Sequence, residues 1–139
     1  MQLLSYQDTT EMMEALAEQV ASELFSALFQ NGQATLAVPG GSTPGPFFDC
    51  LSRTNLDWAN ITVMLTDERW VPSDSARSNT ALIKNRLLVN AASAANYVAL
   101  YVAGCGPKSG AETLSQRIIL HLPIDVLVLG MGADMHTAS

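Results

Sequence analysis

The sequence predicts one α/β domain built in three layers, with a mainly parallel sheet between helices, and three observations predict it. Apolar runs of strand length alternate with segments whose apolar residues recur at helical spacing. Glycine or proline punctuates the joins between them. The composition, 139 residues of which 48% are hydrophobic and 14% charged, is that of an ordinary globular chain long enough to bury a substantial core. Strands that alternate with helices form right-handed β-α-β units, and their crossovers cover both faces of the sheet. Residues 1–139 are therefore expected to belong to a single domain.

The elements follow in order. Over residues 8–32, Met13, Leu16, Val20, Leu24 and Leu28 fall on one helical face, with Asp8, Thr9 or Thr10 available as N-cap and Gly32 as terminator. Ala34 to Val38 is a short apolar run bounded by Gly32 and by Pro39, Gly40 and Gly41, and reads as a buried strand. Ile61 to Leu65 reads the same way, and residues 78–90 form a helix with Ser78 as cap. A weaker strand signal covers residues 97–102. Ser109 and Glu112 have capping-box spacing before another helical segment, and residues 124–130 make a third strong strand.

Charge and cysteine content exclude several functions. Thirteen acidic against seven basic side chains, a formal charge of −6, oppose a broad nucleic-acid surface while leaving room for a local basic pocket. Cys50 and Cys105 have neither C-x-x-C nor metal-type spacing, so two reduced, partly buried thiols and no metal site are expected. There is no basic segment followed by a long apolar stretch at the N-terminus, and no run of about 18 apolar residues anywhere. A cytoplasmic protein without a membrane partner is the expectation.

In parallel sheets of this kind ligands sit beyond the carboxyl ends of the strands, near the point where strand order reverses. The sequence turns unusual at three such ends. After Val38 comes PGGSTPGPF, where Gly40 and Gly41 let backbone approach a ligand and Ser42 and Thr43 offer hydroxyls at a helix start. It is neither a P-loop nor G-x-G-x-x-G, and a turn that merely caps a helix has the same signature. After Leu65 come Asp67, Glu68 and Arg69, which bring at least one carboxylate and a guanidinium toward the crevice. A local ion pair with a helix-capping aspartate explains the same residues. Trp70 reads as a packing residue and His121 as structural. After Leu129, Asp134 and His136 put a carboxylate and an imidazole on one loop, where a fixed tautomer would let the imidazole pass a proton at neutral pH.

Taken together, PGGSTP, TDERWVP, SN followed by LL, and GMGADMHTAS resemble, in that order and across essentially the whole chain, the 6-phosphogluconolactonase family, which is related in fold to glucosamine-6-phosphate deaminase. The resemblance implies a Rossmann-like sheet and hydrolysis of 6-phosphoglucono-1,5-lactone to 6-phosphogluconate in the pentose phosphate pathway, without a cofactor. It makes Gly41, Ser42 and Thr43 the phosphate-binding turn and Arg69 an anion contact. Asp67 and His136 become the acid–base constellation, with Asp134 beside the histidine. No serine nucleophile is implied, and G-x-S-x-G is absent.

Two departures from the family pattern stand out. Many relatives have glycine where this chain has Met135, and a turn requiring positive φ there would be strained by methionine. Family members also continue past HTAS with further helices, strands and a basic residue for the phosphate. On that resemblance the chain is the N-terminal part of a longer domain, and an uncovered sheet edge predicts self-association. Glucosamine-6-phosphate deaminase or another sugar-phosphate isomerase is the alternative enzyme, against which stands DERW, since deaminases typically have a tyrosine after Asp-Glu, where this chain has Arg69. A non-catalytic sugar-phosphate sensor is the other alternative. Such a regulator would need a DNA-binding segment, and the first helix starts too early to follow one.

Overall fold

The structure, a computed structural model, describes residues 2–138. Helix α1 (Thr9–Asn31) is capped by Asp8, whose carboxylate accepts from the Glu11 N–H, and it ends at Gly32 in the left-handed region. Strand β1 (Ala34–Val38) leads through the glycine turn into the short helix α2 (Gly45–Leu51). Strand β2 (Ile61–Leu65), helix α3 (Asn79–Arg86), strand β3 (Asn96–Val98), helix α4 (Pro107–Ile118) and strand β4 (Val126–Leu127) follow.

The sheet order is β3-β2-β1-β4, and every pairing is parallel. From β1 the chain moves outward one strand at a time to β3, then returns across the sheet to place β4 on the other side of β1. That reversal puts the switch point between β1 and β4, where a crevice opens beyond their carboxyl ends.

Alternation along the strands divides the core. Leu36, Val38, Ile61 and Val63 face a layer made by α1, α2 and α3 and join Leu24, Phe47, Phe48 and Leu51, all fully buried. Ala37, Met64 and Val98 form a thinner cluster on the opposite face, against Ile118 at the end of α4 and Ile124. Helices thus lie on both faces, unequally. The β4 side is open: Leu127 and Leu129 are 54% and 55% exposed.

Several boundaries differ from those read in the sequence. Helix α4 begins at Pro107 with Gly106 as cap, because Pro107 occupies the first turn and the Ser109 hydroxyl donates to the Gly106 carbonyl instead of capping. Beyond Val98 the ladder to β2 ends, and the 97–102 segment leaves the sheet so that Tyr101 packs edge-on against Trp70. Helix α3 stops at Arg86: the Leu87 and Leu88 N–H groups both donate to the Ile83 carbonyl, and Asn90 takes φ +51°. In the 124–130 segment only Val126 and Leu127 form the strand, although Asp125 and Val128 continue its hydrogen bonding to Thr35 and Ala37. Cys50 and Cys105 are free and partly buried. Among the described residues no helix is long and apolar enough to cross a membrane, and no cluster of three or more His, Cys, Asp or Glu residues could hold a metal ion.

Candidate active site

A cleft of about 520 Å³ lies at the switch point. Pro39, Gly40, Gly41 and Thr43 come to it from the end of β1, Asp67 and Arg69 from the end of β2, and residues 128–132 and 136–138 from the segment after β4. Met12, Met13 and Leu16 at the start of α1 supply an apolar wall.

The glycines of the first turn answer two different demands. Gly41 sits at φ +88°, which a side chain would strain. Gly40 is needed for space: a β-carbon there would lie 2.0 Å from Asn79 Cγ. Thr43 borders the cleft, whereas Ser42 is exposed, and its carbonyl closes the turn by accepting from the Gly45 N–H.

Behind β2 the two neighbouring carboxylates part company. Asp67 borders the cleft, and Thr66 Oγ1 lies 3.4 Å from its Oδ1. Glu68 turns toward α3 and accepts from the N–H groups of Arg69, Asn79 and Thr80 and from the hydroxyls of Ser78 and Thr80, at 2.7–2.9 Å. Partial burial pushes its carboxyl up, but these donors outweigh it and hold Glu68 below the ordinary glutamate range. The sequence offers an aspartate as the helix-capping carboxylate of this stretch; it is Glu68 instead that reaches across the loop to the start of α3. Thr80 also shares a hydrogen bond with the Tyr97 hydroxyl, which burial pushes up to about 12, so the phenol stays protonated.

Arg69 is exposed along the cleft edge, with Nη1 donating to the Arg77 carbonyl and to Asn79 Oδ1, each at 3.3 Å. Trp70 packs away from the cleft, donating its indole N–H to the Cys105 carbonyl and covering Gly110. His121 borders a separate cavity at the amino ends of the strands.

The third contribution is a self-contained turn. The Gly132 N–H donates to the His136 carbonyl and the Met135 N–H to the Gly132 carbonyl, while His136 Nδ1 bonds the Asp134 carboxylate. That bond holds Asp134 below the usual carboxylate range. His136 borders the cleft, whereas Asp134 does not line it and is exposed. Met135 occupies the left-handed region at φ +69°, so the position between Asp134 and His136 does carry a positive φ.

Of the residues singled out from the sequence, Gly41, Thr43, Asp67, Arg69 and His136 border one cleft, and Ser42 and Asp134 flank it. Sequence reading missed the roles of Asn79 and the α1 methionines. Asn79 entered only as part of the SN motif with no role given to it, and helical periodicity assigned Met13 to the core without showing that the start of α1 overlooks the cleft.

Comparison with known proteins agrees with this geometry. The family model described as "Glucosamine-6-phosphate isomerases/6-phosphogluconolactonase" matches residues 7–139. A 6-phosphogluconolactonase of Pseudomonas aeruginosa is 48% identical over 130 residues, covering 93% of this chain and 55% of the relative. One from Rhizobium meliloti is 46% identical over 135 residues, covering 96% and 58%. The crystal structure of a 6-phosphogluconolactonase from Shewanella baltica superposes with a TM-score of 0.90 at 37% identity, over 95% of this chain and 57% of that one. The chain spans a little over half the length of these relatives. With a matching family model over nearly all its length, and with its three strand-end motifs gathered at one switch point, the chain belongs to the glucosamine-6-phosphate isomerase/6-phosphogluconolactonase family.

Proposed function

We propose that this protein hydrolyses 6-phosphoglucono-1,5-lactone to 6-phosphogluconate, as its relatives' names describe and as the pentose phosphate pathway requires, with no cofactor. The observation that carries the reading is the convergence of Thr43, Asp67, Arg69 and His136, from three strand ends, on one cleft.

The chemistry matches those groups. A δ-lactone already presents an electrophilic carbonyl, so the reaction needs an activated water and a proton for the departing ring oxygen. His136 takes a proton from water as it attacks C1, then returns a proton to the ring oxygen as the C1–O bond breaks. Asp134, bonded to Nδ1, fixes the tautomer so that Nε2 is the atom that accepts the proton. Asp67 supports the imidazolium electrostatically. The remote phosphate, held by the turn of Gly41, Ser42 and Thr43 and by Arg69, contributes binding energy that keeps C1 in register.

A lactonase assay on His136→Ala and on the unsubstituted protein tests this reading, with spontaneous lactone opening subtracted. Unchanged catalysis by the variant would remove His136 from the mechanism. Ammonia release from glucosamine 6-phosphate, without lactone hydrolysis, would favour the deaminase reading. A charged phosphorylated substrate does not cross membranes unaided, which supports a cytoplasmic location. Self-association through the open β4 edge is also part of the reading, supported by exposed Leu127 and Leu129, and sedimentation tests it.

A further inference from the structure

We infer that Asn79 is the positioning residue for anion recognition, its carboxamide holding the Arg69 guanidinium and the Asp67 main chain in fixed relation to the glycine turn. Asn79 is 3% exposed. Its Nδ2 donates to the Asp67 carbonyl at 3.1 Å, and its Oδ1 accepts from Arg69 Nη1 at 3.3 Å. The same carboxamide fills the space that a side chain at Gly40 would need. One planar group therefore touches the ends of β1 and β2 at once.

Only a carboxamide meets both demands. The Asp67 carbonyl needs a donor and the guanidinium needs an acceptor, so aspartate satisfies the second and repels the first, while alanine satisfies neither. Glu68 secures the arrangement from behind by accepting from the Asn79 N–H at 2.7 Å, which fixes the start of α3 and with it the carboxamide's base. Without Asn79, Arg69 would keep its bond to the Arg77 carbonyl but lose the buried contact that directs its free face into the cleft.

This inference rests on the reading of Arg69 as the phosphate contact, and the experiment separates the two. A ¹⁵N-labelled chain titrated with 6-phosphogluconate gives Kd from amide shifts, and the Arg69 side-chain Nε–H resonance reports the guanidinium directly. Asn79→Ala should weaken binding about tenfold, the scale of a hydrogen bond to a charged group. It should also move the Arg69 resonance to where freely rotating arginines lie. In an Arg69→Ala background the same substitution should change Kd less than about twofold, because its effect passes through the guanidinium. Asn79→Asp, the variant that keeps an acceptor beside Arg69, should weaken binding while leaving the Arg69 resonance displaced, and it carries the test if Asn79→Ala does not fold. Losses that multiply in the double variant would overturn the proposal, as would an Arg69 resonance unmoved by Asn79→Ala. Failure of the unsubstituted chain to bind 6-phosphogluconate would refute the phosphate reading, and the Arg69 resonance would still decide the positioning claim.

Discussion

The two walls of the cleft are built on opposite principles. The wall after β2 is anchored at a distance: Glu68 and Asn79 tie residues 67–69 to the start of α3, where Ser78, Asn79 and Thr80 are all buried. The wall after β4 is held by its own turn, Gly132 to His136, and is exposed, with Met131 at 71% and Met135 at 78%. The first fixes where an anion is received. The second presents the imidazole on a turn held by its own backbone bonds and the Asp134–His136 pair, so its cost is that of one loop.

The largest expected effect comes from removing the imidazole on the exposed wall. In an active lactonase, His136→Ala should lower kcat by about 10²–10⁴-fold with a smaller change in KM, the range for a lost general base. Steady-state kinetics checks it, and an equal loss in both parameters would move His136 from chemistry to binding.

On the anchored wall, Glu68→Gln should act on stability first. It removes a charged acceptor of several donors and should cost about 1–3 kcal/mol, read by denaturant unfolding at neutral pH. Because the folded carboxyl lies below its ordinary value of 4.5, its contribution is fully present above that value and is lost as pH falls through the lower folded value. Glu68→Gln should therefore show a shallower loss of stability below pH 4.5 than the unsubstituted chain. Identical acid profiles would mean that other carboxylates govern the acid limb.

How much of this contrast was legible in the sequence depends on the range of the forces involved. The strands at residues 34–38 and 61–65 were readable to their ends, because a central parallel strand is apolar on both faces and turn residues bound it. Strands β3 and β4 were overestimated because each pairs with one neighbour only, and an apolar run does not reveal where its ladder stops. In the site, Gly41, Asp67, Arg69 and His136 announced themselves by following strands. The division of labour between Asp67 and Glu68 did not, since it is decided by donors that lie 10–12 residues away. The SN motif contained Asn79, but its role was hidden for the same reason: its partners are assembled by the fold and have no local pattern.

Smaller effects sharpen the comparison at the turns. Gly41→Ala forces a β-carbon into φ +88° and should cost about 1–2 kcal/mol, with weaker binding of 6-phosphogluconate measured by calorimetry. Met135→Gly relieves the left-handed methionine but adds chain entropy to the unfolded state, so its net effect should be at most about 1 kcal/mol. A large destabilisation would show that the Met135 side chain, though exposed, holds the turn.

The central claim is that a phosphorylated ligand enters this cleft by its phosphate, at the glycine turn and Arg69, with the exposed histidine turn closing on its other end. Amide hydrogen exchange with 6-phosphogluconate, compared with unphosphorylated gluconate, tests it most directly. The account predicts protection of residues 41–45 and 67–70 with the phosphorylated ligand and none with gluconate. Equal protection by both ligands, or protection confined to the second cavity at the amino ends of the strands, would contradict it.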